Sequence, residues 1–218
     1  MKAAVFTALA IASVGCGQPV RRTLMLTSDP AEYPGVIHDP HTLAHDFVVR
    51  QTITIHAQRE GKPVEGEFDA VLQKQGDTLL IVGFGPMNVK AFTVKHQGNQ
   101  IEFVQFMGPQ LPFSPRNMIV DVHRVFFKHL PVPADAGASF SGARTGELDG
   151  EQVEETWQDG QLRASVFTRP ANALLHGAVR IEFAPGCTSE ACEPESATLH
   201  NEWFGYTLGI ANEGYEKL

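Results

Sequence analysis

The residues that could do chemistry in this chain are its cysteines, histidines, serines and clustered carboxylates, and few stand at working spacings. Cys187 and Cys192 enclose Thr188-Ser189-Glu190-Ala191. That spacing suits a short-loop disulfide in an oxidising compartment, or half of a metal site. No second Cys/His pair at matching spacing accompanies it, so the disulfide is expected and no metal. His38-Asp39-Pro40-His41 and His45 are the densest metal-ligand types. His41 and His45 would share one helix face, but they sit in a proline-rich stretch where solvated histidines are the ordinary outcome. Ser139 and Ser141 lie among glycines and alanines without a G-x-S-x-G elbow. Glu151, Glu154 and Glu155 read as a solvated strand edge rather than an acid/base pair. Arg50, Arg144, Arg163 and Arg180 fall in strand-like segments and read as exposed, with contact to lipid phosphate as the alternative. Nothing here forms a catalytic constellation or a cofactor motif, so neither enzymatic activity nor a cofactor is expected.

The third cysteine has a different setting. Lys2 precedes an apolar run from Ala3 to Ala12, and Ser13-Val14-Gly15 leads to Cys16 and then Gly17-Gln18-Pro19. Ten residues are too few to span a bilayer and suit the apolar core of a signal peptide. The segment resembles the bacterial lipobox, although Ser13 stands where leucine is usual. That resemblance implies cleavage before Cys16 and attachment of palmitate-type acyl chains there. The alternative is a secretory signal cut near Gly15, with Cys16 a bystander. Residues 1–15 are thus read as a lipoprotein signal peptide. The mature chain would be anchored by two or three acyl chains, at about 0.8 kcal/mol per buried CH₂. Gly17 in place of aspartate resembles the outer-membrane sorting pattern of Gram-negative bacteria. The expected location is the cell envelope, at the outer membrane and facing the periplasm. The formal net charge of −8 argues against nucleic acid and against electrostatic docking on anionic lipid.

These residues must be positioned by a strand-rich body. Gly17 to Pro40 carries Pro19, Pro30, Pro34 and Pro40, and residues 16–46 read as a lipidated tether with one short strand at Leu24-Met25-Leu26. From Phe47 a period of two sets in. Val49, Gln51, Ile53 and Ile55 alternate with Arg50, Thr52, Thr54 and His56, and Phe68, Ala70 and Leu72 follow the same rule. Thr78–Phe84 is almost continuously apolar and is expected to be covered on both faces. Lys90–His96 and Gln100–Met107 complete an antiparallel meander. Ser114 as N-cap and Pro115 at the first helical position then start an amphipathic helix. Ile119, Val122, Val125, Phe126 and Leu130 line one side of it, for about four turns. Arg116, Asp121, Arg124 and Lys128 take its other faces. After a Gly/Ala/Ser-rich linker (Ala134–Ala143), strands are predicted at Thr145–Leu148, Val153–Gln158, Leu162–Thr168, Ala178–Ala184 and Ala197–Ala211. Asp149-Gly150 and Asp159-Gly160 are their hairpin turns, and Gly205 is read as a bulge in the last strand. Residues 47–218 form one domain in this reading.

Four pieces in this order carry a resemblance: Gln51-Thr52-Ile53-Thr54-Ile55, Gly76-Asp77-Thr78-Leu79-Leu80-Ile81-Val82-Gly83, Leu111-Pro112 with Pro115 to Val125, and Leu199-His200-Asn201 through Gly205-Tyr206-Thr207-Leu208-Gly209-Ile210. The chain resembles LolA/LolB-like bacterial outer-membrane lipoproteins, and more closely an uncharacterised LolB-like family, domain of unknown function 3261. One departure is Asn88, where glycine is expected after Gly85-Pro86; asparagine tolerates positive φ. The resemblance implies a mainly β fold with α. An eleven-strand curved antiparallel half-barrel would be closed by the mid-chain helix, around a hydrophobic cavity for acyl chains. Ile53, Ile55, Phe68, Leu72, Phe92, Val94, Phe103, Ile119, Val122 and Phe126 are the candidate cavity residues. Each could equally belong to an ordinary packed core. The expected partners are the membrane, through the N-terminal chains, lipid or lipoprotein acyl chains, and a periplasmic carrier protein. The alternatives are a structural or partner-binding lipoprotein with a filled core, and an envelope hydrolase. Replacing Cys16 by serine should release the protein from the membrane fraction into the soluble envelope fraction; retention in the membrane would contradict the anchor.

Overall fold

The computed structural model describes residues 22–27, 33–59, 61–107, 114–131, 140–169, 177–188 and 192–218. The signal segment, Cys16, Ser139 and Leu111-Pro112 lie outside them. The alternation in the sequence becomes strand by strand the two faces of one sheet. It is clearest in β8 (Glu151–Gln158), where every odd-numbered residue is buried and every even-numbered one exposed. β2 (Phe47–Arg59) buries Val49, Gln51 and Ile55, and β3 (Lys62–Gln75) buries Ala70, Leu72 and Lys74. β4 (Thr78–Phe84) buries Leu79 and Ile81 but leaves Leu80 and Val82 half-covered, so its outer face is less enclosed than its composition suggested.

Two six-stranded meanders make the sheet. The first holds β1 (Arg22–Thr27), β2, β3, β4, β5 (Lys90–Gln97) and β6 (Gln100–Gln105). The second holds β7 (Gly142–Leu148), β8, β9 (Gln161–Thr168), β10 (Ala178–Phe183), β11 (Ser196–Asn201) and β12 (Tyr206–Lys217). β2 pairs with β12 along nearly its whole length and welds the halves into one antiparallel sheet, ordered β1-β6-β5-β4-β3-β2-β12-β11-β10-β9-β8-β7. The sheet is a half-barrel and does not close on itself. It has twelve strands rather than eleven, because the N-terminal strand adds to the edge beside β6.

The turns follow local chemistry. Asp149-Gly150 and Asp159-Gly160 both have positive φ at each position, as two-residue hairpins between right-twisted strands require. Met87 and Asn88 both take φ of 58°, so the turn survives without glycine at Asn88. Gly205 is not a bulge. It ends a hairpin turn between β11 and β12, where the Asn201 side-chain carbonyl accepts from the Trp203 and Phe204 amides. The bulge of β12 lies at Gly214 instead. Cys187 and Cys192 form the expected disulfide, at the connection of β10 to β11.

α1 (Pro115–Phe126) starts as its sequence directs, with the Ser114 hydroxyl accepting from the Arg116 amide. It runs three turns, one fewer than expected. The amides of Phe127 and Lys128 converge on the His123 carbonyl, and the Leu130 amide donates to Glu155 Oε1 at 2.7 Å. A β8 side chain thus takes the chain out of the helix before Pro131 is reached. Residues 33–40, read as tether, are also part of the core: Tyr33, Pro34, Gly35, Ile37 and Pro40 are buried. No helix among the described residues is long and apolar enough to cross a membrane.

Candidate functional site

The helix that crosses the concave sheet has no solvated face of the usual kind. Arg116, Asp121, Arg124 and Lys128, which its sequence pattern placed on outer faces, are all buried. Buried ions need partners, and the partners come from three places. Arg124 Nη2 donates to Glu151 Oε1 on β8 at 2.7 Å and to the Pro34 carbonyl at 2.7 Å. Its Nη1 donates to the Tyr33 hydroxyl and lies 3.3 Å from Asp121 Oδ1. Arg116 donates to the Tyr33 and Gly35 carbonyls at 3.0 and 2.9 Å. Gly35 has φ of +121°, and a Cβ there would stand 2.7 Å from Val120. Only glycine lets this segment lie so close across the helix.

Tyr33 joins the network to the far meander. Its hydroxyl donates to Asp121 at 2.6 Å and accepts from Arg124 and from Asn201 Nδ2 at 2.7 Å. One donor and two acceptor sites are all a hydroxyl has, so it is saturated. Asn201 also caps the β11–β12 turn, and the Tyr206 hydroxyl just after that turn donates to Asp121 Oδ2. Towards the other end, Lys128 pairs with Asp149 at 2.9 Å, which also meets His38 at 2.8 Å. Burial pushes the Asp121 carboxyl upward, against Arg124 and the two tyrosine hydroxyls. Burial also lowers the Lys128 ammonium, against the pull of Asp149.

With one side of α1 fixed, Met118, Val122 and Phe126 face β2, β3 and β12 across a gap. The result is a narrow apolar slot, open at its mouth, with a cavity volume of about 70 Å³. Its polar wall is limited to Gln51, Asp121 and Tyr206. Of the ten candidate cavity residues, Ile53, Ile55, Phe68, Val122 and Phe126 line this slot. Leu72, Phe92, Val94, Phe103 and Ile119 do not; they are packed in the core around it. The reason is depth. Towards the β5–β6 edge the helix and sheet touch, and the ring of Phe92 lies directly over Gly83 on the neighbouring strand.

The remaining candidates fall as follows. His41 and His45 are exposed and His38 is held by Asp149. Among the described residues no group of three or more His, Cys, Asp or Glu could hold a metal ion. Arg50 and Arg180 are exposed, whereas Arg144 and Arg163 are half-buried, the former beside Glu155 and the Pro131 carbonyl. Ser141 accepts from the Asp159 amide as a turn residue. Glu154 is exposed as expected, but Glu151 and Glu155 are buried. They share the inward face of β8 with Val153 and Trp157, a parity that was readable in the sequence.

Comparison with known proteins gives a family and a fold likeness. The model of the family described as Protein of unknown function (DUF3261) matches residues 48–213. No curated protein matches the chain. Among solved structures, a LolA superfamily protein from Nitrosomonas europaea aligns at 11% identity with a TM-score of 0.42, over 83% of this chain and 88% of that one. A DUF1329 family protein from Desulfovibrio piger aligns at 14% identity and 0.36, over 82% and 87%. At such scores the site is argued from its own residues.

The network makes two stability predictions. Arg124→Met leaves Asp121 and Glu151 buried without their cation and should cost about 3–5 kcal/mol. Tyr33→Phe, which orphans Asn201 and one Asp121 contact, should cost about 1–3 kcal/mol; urea unfolding of each variant measures both. A third prediction concerns acid. His123 has no exposed surface, and burial, with His96, Lys128 and His38 adding positive charge nearby and Asp149 opposing, lowers its pKa to about 3. The unfolded chain takes up that proton below about pH 6.5 and the folded chain does not, so stability must fall as pH drops from there. The contribution is at most about 1.4 kcal/mol per pH unit. Asp121 and Glu155, pushed up by burial, act with the opposite sign. The test is therefore a difference: between about pH 6 and 4, His123→Phe should lose stability less steeply than the unaltered protein. Parallel slopes would refute the assignment.

Proposed function

Within the DUF3261 family, to which this chain belongs, we propose that it is a lipid-anchored envelope protein that takes an acyl chain non-covalently between α1 and the sheet. Anchored through Cys16 at the outer membrane, it carries or receives lipid or lipidated cargo there. The observation that carries this reading is the apolar slot, open at its mouth, with Ile53, Phe68, Val122 and Leu208 only half-buried on its walls. An empty slot leaves such surface in contact with water or vacuum, while an aliphatic chain entering it is favoured by about 25 cal/mol per Å² of apolar area removed from water. The buried network holds one flank of the helix so that this gap does not simply collapse.

A second reading has its own support. Leu72, Val94 and Ile119 have no solvent exposure, and the slot is narrow, which suits a structural lipoprotein with a filled interior. The two readings part on a simple measurement. An uncharged fluorescent probe such as N-phenyl-1-naphthylamine should bind the protein with a blue-shifted, saturable signal. Val122→Gln, at a half-buried position, should weaken that binding about tenfold, since burying an unpaired amide costs on the order of 1–3 kcal/mol, and should move the thermal midpoint by only a few degrees. Absence of saturable binding by the unaltered protein would favour the filled interior.

A further inference from the structure

A second pocket lies beyond the C-terminal end of α1. Its cavity volume is about 370 Å³, between residues 42–47, the chain leaving the helix, and the disulfide. Phe126 lines both spaces, and no other described residue does. Along the helix the slot runs from Met118 to Phe126, about 12 Å at 1.5 Å per residue. The second pocket then continues with Phe127, His129 and Leu130. The two spaces thus adjoin, with Phe126 on the wall of each.

Resting on the acyl-chain reading above, we infer that slot and pocket are the two halves of one site for an amphiphile with an uncharged polar head, of the acylglycerol class. The tail lies in the slot, the head lies beyond Phe126, and rotation of that ring joins the halves without moving the backbone. The linings differ as this requires. The slot is apolar, whereas the second pocket mixes aromatic rings with Thr42, His45, His129 and Glu193. Both ring nitrogens of His129 are shielded from solvent; one approaches the Phe126 carbonyl and neither makes a full hydrogen bond. Burial holds this imidazole neutral, with its pKa down at about 4; with its N–H turned to the Phe126 carbonyl, the other nitrogen is left as an acceptor. That suits a hydroxyl. Among the described residues no lysine or arginine lines the pocket. Glu193 is there, with Lys217 3.4 Å away and largely exposed. A carboxylate or phosphate head would give up its water without gaining a buried cation, which is costly.

The test uses three ligands with one tail: monolauroylglycerol, laurate and lauroyl lysophosphatidate, each displacing N-phenyl-1-naphthylamine from the purified protein at pH 8 below its micellar concentration. Monolauroylglycerol should displace the probe at a concentration at least tenfold lower than either anion. His129→Phe should weaken monolauroylglycerol about fivefold, the scale of one neutral hydrogen bond, and leave probe binding unchanged. Glu193→Gln should narrow the gap to laurate. Equal or better displacement by either anion overturns the proposal, and so does a monolauroylglycerol affinity indifferent to His129→Phe. The ranking of the three ligands on the unaltered protein needs no variant to fold. If the probe binds but no lauroyl ligand displaces it by head type, the two-part site fails and the slot reading stands; if the probe itself does not bind, both fail.

Discussion

Arg124 is a guanidinium with no exposure to solvent at the centre of a half-barrel, and the arrangement around it follows from that constraint. A buried cation is tolerated only where carboxylates and carbonyls surround it. Asp121 comes from the same helix, Glu151 from the far meander, and the Pro34 carbonyl and Tyr33 hydroxyl from the segment that precedes the domain's first long strand. Tyr33 and Phe167 also present ring faces to it, at 4.8 and 5.6 Å. Loss of any one partner leaves another ion uncompensated, so these elements take their places together. The helix is thereby pinned on one flank by geometry rather than by shape-filling alone.

That pinning has a consequence on the opposite flank. β2 and β12 run beneath the helix as the seam between the meanders, and their inward side chains near Ile53, Ile55 and Leu208 do not reach far enough to fill the space under Val122. Where the sheet approaches more closely, Phe92, Val94 and Phe103 pack shut. The slot therefore opens along the seam. Phe126 closes one end of it, held loosely between Phe47 and Phe127 at ring distances of 6.2 and 6.3 Å. Its small area and apolar lining favour one flexible chain over a rigid or strongly polar ligand.

Most of the architecture was legible in the sequence because strands and turns are local. Alternation in Val49–Ile55 and Phe68–Leu72, the Asp-Gly turns and the Ser114-Pro115 helix start each depend on neighbouring residues only. What escaped depends on residues far apart in the chain. The polar side of α1 looked solvent-facing because an isolated amphipathic helix has one wet side; a sheet that curves around it, and a strap at Tyr33–Pro40 laid across it, remove that side. The proline-rich strap looked like tether because prolines disfavour regular structure, yet Tyr33 is a network residue. Five of the ten candidate residues line the slot and five pack in the core around it, because strand parity and helical spacing give the face of an element and not the distance to what opposes it.

Native mass spectrometry of the Cys16→Ser form, purified without detergent from the soluble envelope fraction so that covalent acyl chains are not mistaken for ligand, tests the central claim most directly. The account predicts one acyl-bearing molecule held per chain, lost when Val122 is replaced by glutamine. A ligand-free mass under conditions that keep the disulfide-bonded fold intact would contradict it, and would leave a half-barrel with a filled interior as the description of this protein.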